Sequence, residues 1–181
     1  MSQAPHGVSD RALTWLEDAL LLISCFCLLV IVAVTTADVV ARGLFNAPFG
    51  WSHDLITQYL LIAMFFLSLP YVTRIGGHMA LDFLARQVSS PTWRSILVLI
   101  GEVLAFLFVI GFILGSWGGV ADAFRGGDVL PGALGWPTWP SHLLPIIGIF
   151  VLGLRLVTRI VQTLGALRSG NVPHFLGHGG H

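Results

Sequence analysis

Residues 19–37 read ALLLISCFCLLVIVAVTTA, nineteen positions without an acid or a base. A helix needs about 20 apolar residues to cross about 30 Å of hydrocarbon, and this stretch has that length. Three more follow, at 55–72, 96–117 and 143–164, interrupted only by Glu102, Arg155 and Arg159. A water-soluble domain could not cover four such faces at once. The chain therefore reads as an all-α integral membrane protein with four transmembrane helices, over about 19–40, 54–73, 95–118 and 142–164.

Composition supports this. Of 181 residues, 55% are hydrophobic and 10% charged, with a mean hydropathy of +0.85, whereas soluble domains carry about 25% charged residues. The tails and three connections are each too short for a separate core, which takes about 50 residues or more. Residues 1–181 are thus expected to form one membrane domain, with 169–181 a flexible tail. Net charge is zero, from nine arginines, no lysine and nine acids, so no basic field points to nucleic acid. Asp10, Glu17 and Asp18 precede the first apolar run and no small-x-small cleavage site follows it, so the first span is expected to be retained rather than cleaved as a signal peptide. Cys25 and Cys27 lie about 200° apart around a helix. Their thiols point to opposite sides, and they read as small apolar residues.

The arginines predict orientation. Arg11 falls in the N-terminal tail, Arg74, Arg86 and Arg94 in the second connection, and Arg159 and Arg168 at or beyond the last turns of the fourth span; only Arg42 and Arg125 fall in the first and third connections. The positive-inside rule places both termini and the second connection in the cytoplasm. Trp51, Trp117, Trp136 and Trp139 then mark the outer boundary, and Trp15 and Trp93 the inner one, as indole rings do at lipid headgroups. Trp136 and Trp139, bracketed by Pro131, Pro137 and Pro140, equally suit a rigid docking surface.

Helix punctuation agrees. Ser9 and Asp10 suit an N-cap, and the pattern then runs to about Arg42, about 50 Å, so the first helix must tilt or project. N-A-P-F-G at 46–50 breaks it. Ser52 is expected to cap the second helix, with Asp54 in its first turn; Pro70 is expected to kink it. Ser90 and Pro91 suit N-cap and N1 of the third helix. The glycine-rich segment 118–128 is expected to end that helix, and P-T-W-P-S-H at 137–142 to start the fourth.

Two charges fall deep inside apolar spans. Glu102 and Arg155 lie at similar depths from the same face, and an isolated charge there costs at least about 2.5–3.5 kcal/mol. A Glu102–Arg155 contact between the third and fourth helices is predicted. It reads as a polar clamp, as a contact with another subunit, or as a proton or substrate relay. Asp38 and Arg42 are spaced i,i+4 with the acid first, which favours a local ion pair and also suits orientation of the first connection against a partner. His53 and His142 begin helices, His78 lies in the second connection, and no span contains the facing histidines a membrane haem needs. No metal site is assigned, and the tail histidines 174, 178 and 181 are given no role. No phosphate loop, H-E-x-x-H, nucleophile elbow or other catalytic set is present, so neither enzyme activity nor a cofactor is expected.

The segments DVVARGLFNAPFGWSHDL (38–55) and RIGGHMALD (74–82) resemble the small membrane subunit, DctQ type, of tripartite ATP-independent periplasmic (TRAP) transporters. Asp38, Arg42, Phe45, Trp51, Asp54, Gly76, His78 and Asp82 occupy positions similar to that family's motifs, as does W-P-x-W-P before the fourth span. His53 stands where many members have an acid, and Gly43 where an aromatic is common. The resemblance implies a non-catalytic subunit in a bacterial inner membrane. It would brace a large DctM-type membrane subunit and help dock a periplasmic substrate-binding protein for uptake driven by a sodium gradient. The docking surface would comprise Trp51, Asp122, Arg125, Asp128, Trp136 and Trp139. Competing readings are a haem- or quinone-associated anchor of a redox complex and a stand-alone small exporter. The spans show no broken helices or internal repeats of the kind that build a midplane substrate site.

Overall fold

In lipid every backbone polar group must be satisfied within the chain, and an apolar segment does this as a helix. The computed structural model describes residues 8–47, 49–75, 91–130 and 135–169, and it contains four helices long and apolar enough to span a membrane. We label them α1, Val8–Phe45; α2, Ser52–Arg74; α3, Pro91–Gly126; and α4, Trp139–Ser169. With 38 residues, α1 is about 57 Å long, longer than the hydrocarbon is thick, as its sequence suggested.

The helices form a row rather than a closed bundle. α4 packs against α3 on one side and α2 on the other, and α2 in turn packs against α1. In α4, 44% of the apolar window is buried, against 17% in each of the others. α4 is therefore the central element, and the outer sides of α1 and α3 carry apolar side chains with no covering helix, among them Leu22, Phe26, Leu29, Leu104, Phe108 and Leu114.

α1 meets α2 through a narrow seam. Leu13, Glu17, Leu20, Ser24 and Cys27 are buried at spacings alternating four and three, the repeat that keeps one stripe facing a neighbouring helix. Leu13, Leu20 and Cys27 pack with Ala63, Leu67 and Val151, and the Ser24 hydroxyl donates to the Met64 carbonyl at 2.6 Å. Cys25 is exposed and Cys27 buried, on opposite sides as their spacing requires.

α2 is irregular twice. Residues Ile56–Leu60 form a π-helical turn between the α-helical Ser52–Leu55 and Leu61–Arg74; at its start the Thr57 hydroxyl bonds the His53 carbonyl at 2.8 Å. Farther on, buried Pro70 has no N–H for the Phe66 carbonyl one turn back. Gly148 of α4 lies directly over that carbonyl, so close that a Cβ there would collide with it. On α4's other side, a Cβ at Gly153 would come within 2.9 Å of Val109 in α3. Small residues let backbones approach where lipid gives no hydrophobic drive between helices. Val109, Ile149 and Leu156 form the α3–α4 core.

One boundary expectation is corrected and one holds. Ser52 does not cap α2: it is the first helical residue, Trp51 holds the cap position without a side-chain bond, and the Ser52 hydroxyl and N–H both turn to the Phe49 carbonyl, at 2.8 and 3.2 Å. The glycine-rich segment 118–128 does end α3, at its second glycine pair. Helix continues through the first pair, Gly118 and Gly119, to Gly126. It stops where Gly127 takes φ +61° and the Asp128 N–H bonds back to the Ala123 carbonyl at 3.4 Å, a Schellman-type end.

Candidate functional site

Polar groups concentrate at the two ends of the row. At one end α1, α2 and α4 share a buried charge cluster. Glu17 is 0% exposed. Arg155 of α4 donates to it from Nε and Nη2, both at 2.5 Å, and from Nη2 to the Thr14 hydroxyl at 3.3 Å. Arg74 at the end of α2 lies 3.4 Å from Glu17, donates to the Thr14 carbonyl at 3.1 Å, pairs with Asp18, and sits 4.6 Å over the Tyr71 ring. Asp10 stands 3.9 Å from Arg155. A planar guanidinium suits this two-pronged grip on a carboxylate.

The predicted Glu102–Arg155 contact is not formed. Glu102, 3% exposed, takes a hydrogen bond from the Thr163 hydroxyl at 3.0 Å and feels the charge of Arg159. Its other oxygen is buried without a hydrogen-bond partner. Similar depth did not mean contact: Thr163 lies two turns beyond Arg155, about 12 Å along α4, and Arg155 is turned toward α1. Position 159 falls between them, so residues 155, 159 and 163 make one polar edge of α4 that reaches α1 at Arg155 and α3 at Thr163.

At the opposite end the two connections are each pinned. Asp38 pairs with Arg42 at 2.8 Å, as its spacing suggested, and its second oxygen accepts the Phe49 N–H at 2.7 Å. Phe49 and Trp51 stack with centroids 5.7 Å apart. After α3, Leu130 N–H bonds the Trp136 carbonyl at 2.7 Å and Thr138 N–H bonds the Asp128 carbonyl at 3.0 Å. The Tyr59 hydroxyl donates to the Pro137 carbonyl, and its ring lies 5.9 Å from that of Trp136. Phe124 meets Trp139 edge-on at 6.0 Å.

Of the expected docking residues, Asp128 and Trp136 thus lie in one bridged pair of segments, with Trp139 at the adjoining start of α4. Asp122 and Arg125 lie in the last turns of α3, and Trp51 belongs to the other connection. Asp54 is in the first turn of α2. His53 and His142 are exposed at helix starts. Gly76, His78, Asp82, Arg86 and the tail from residue 170 lie outside the described residues. Sequence reasoning missed Glu17, Arg74 and Tyr59 as site residues. Glu17 had a signal, its place in the alternating spacing of Leu13, Leu20 and Ser24; nothing local marks Tyr59, whose partner is 78 positions away.

Residues 31–166 match the family model described as tripartite ATP-independent periplasmic transporters, DctQ component. That range holds the last part of α1 (31–45), all of α2 and α3, and α4 almost to its end. The chain belongs to the DctQ family. It is accordingly the small membrane subunit of a TRAP-type transporter, a multi-pass protein of the inner membrane. No curated protein and no solved structure matches it. Within this DctQ subunit, Asp38, Arg74, Glu102 and Arg155 lie inside the matched range, whereas Asp10, Glu17 and Asp18 precede it.

Proposed function

We propose that this DctQ subunit is a non-catalytic brace. It packs laterally against the large DctM-type membrane subunit and helps receive the periplasmic substrate-binding protein, while an ion gradient drives solute uptake through the large subunit. The observation that carries this reading is the open row: α1 and α3 each leave an apolar side uncovered, while α4 and the polar contacts at both ends hold the row together. In lipid such faces associate by close packing. Both termini lie in the cytoplasm on this reading, because six arginines sit on the side of the tails and second connection. The end carrying Trp51, Asp128 and Trp139 then faces the periplasm.

The test is co-purification of the tagged chain from its native membrane, followed by reconstitution. Recovery with a large subunit of roughly a dozen spans, and transport only when that subunit and the binding protein are both present, support the brace. A chain that purifies alone and transports alone overturns it.

A further inference from the structure

The π-helical turn of α2, Ile56–Leu60, contains no fully buried residue, although Leu60 packs against the α1–α2 core. Such turns re-aim the side chains they carry. Here the turn carries Tyr59, whose hydroxyl reaches the Pro137 carbonyl and whose ring packs on Trp136. The segment it touches, 136–138, is held to 128–130 by two backbone hydrogen bonds and by the Thr138 hydroxyl on the Asp128 carbonyl at 3.1 Å. An isolated two-stranded pairing is marginal in water. Gly127 and Gly135 on its flanks have φ of +61° and +55°, a backbone region where glycine has the greatest freedom.

We propose that Tyr59 is a positioning residue for docking: it fixes the paired segments against α2 and so holds in place the surface that the soluble binding protein meets. The inference rests on the docking role proposed above. Val129, 58% exposed, and Asp128, also exposed, lie on the segment paired with the one that Tyr59 contacts. A surface already ordered loses less freedom on association, so the anchor acts on affinity without itself touching the partner.

The test uses the complex of this chain with the large subunit in nanodiscs and the purified binding protein of the same system as probe. In Tyr59→Phe, amide exchange in the peptides carrying Leu130 and Thr138 is expected to quicken while peptides of the α3–α4 core stay unchanged. Affinity for the binding protein should fall about two- to tenfold, the range of one lost hydrogen bond. Val129→Glu, which alters the outward surface and leaves the anchor in place, should weaken binding with amide exchange unchanged. Weaker binding in Val129→Glu with neither effect in Tyr59→Phe overturns the positioning role and spares the docking role. Faster exchange in Tyr59→Phe at unaltered affinity also overturns the positioning role. Unaltered affinity in Val129→Glu and Asp128→Arg together sinks docking by this surface, and the positioning role with it.

Discussion

Arg155 of α4 grips Glu17 of α1 through two parallel hydrogen bonds of 2.5 Å, although these two helices have little other packing between them. Apolar side chains gain little from meeting one another in lipid, since lipid tails are as apolar as they are. The placement of α1 against α4 is therefore set by charge at this end, with the seam on α2 supplying the rest.

Removing one partner of a buried ion pair costs roughly 3–5 kcal/mol, whereas replacing both by apolar groups of similar size is often close to neutral. Glu17→Leu leaves Arg155 and Arg74 without the acid between them and should cause the largest drop in melting temperature of the purified chain in detergent. Arg155→Leu should cost less, because Glu17 keeps Arg74 at 3.4 Å. The double variant Glu17→Leu/Arg155→Leu should melt above Glu17→Leu alone. Simple addition of the two single losses would show that the pair is not coupled.

Glu102 and Thr163 form the second buried contact, at 3.0 Å, and Thr163 is 0% exposed. Glu102→Gln keeps an acceptor for the Thr163 hydroxyl and should change stability by about 1 kcal/mol or less. Glu102→Leu and Thr163→Val each break the bond and should cost about 1–3 kcal/mol. Because they remove the same interaction, the double variant should fall short of the sum, by 0.5 kcal/mol or more on the usual scale of contacting pairs. Denaturant titration of all four proteins measures the coupling energy, and a value near zero removes the contact from the account.

The four helices were legible because each apolar run has the length of a bilayer crossing, a signal that local sequence carries in full. The α1 seam was legible in principle: Leu13, Leu20, Ser24 and Cys27 repeat at coiled-coil spacing, and Glu17 falls among them. Partner choice was not. Glu102 and Arg155 have similar depth, yet which acid meets Arg155 depends on how α4 is rotated, and that is fixed by close approaches such as Gly148 on the Phe66 carbonyl. The end of α3 was legible to within the glycine-rich segment. It falls at Gly126 rather than at the first pair Gly118–Gly119, because a glycine costs a helix only about 0.8–1.0 kcal/mol, whereas Gly127 takes the positive φ that closes it. Asp38 was half legible. Its pairing with Arg42 follows from spacing, but its bond to Phe49 needs the chain to turn back on itself.

That second bond should dominate the effect of changing Asp38. Arg42 is 65% exposed, and exposed i,i+4 pairs contribute about 0.3–0.5 kcal/mol, so Arg42→Ala should barely alter the connection. Asp38→Ala also strips the acceptor from the Phe49 N–H, a bond to a charged group worth about 1.5–3 kcal/mol. Asp38→Asn retains an acceptor oxygen and should fall between the two. Proteolytic nicking within residues 46–50 of the detergent-purified chain reads the order directly. If Arg42→Ala loosens the connection as much as Asp38→Ala, the ion pair rather than the Phe49 bond holds it.

Glycines of this chain should separate into two classes when each is changed to alanine. At Gly148 the added methyl meets the Phe66 carbonyl, a backbone atom that cannot rotate aside, so α2 and α4 must part. Overpacking of this kind costs about 1–3 kcal/mol, and the loss falls at the centre of the row. At Gly111 a Cβ meets nothing within 4 Å, and alanine is favoured over glycine inside a helix by about 0.8–1.0 kcal/mol. Gly111→Ala should therefore raise the melting temperature of the isolated subunit while Gly148→Ala lowers it. The uncovered side of α3 makes the sign at Gly111 informative in the assembled transporter too. If a helix of the large subunit packs over that glycine, the same substitution should stabilise the isolated chain yet weaken its recovery with the large subunit. A stabilising effect that persists unchanged in the complex would assign the face to lipid.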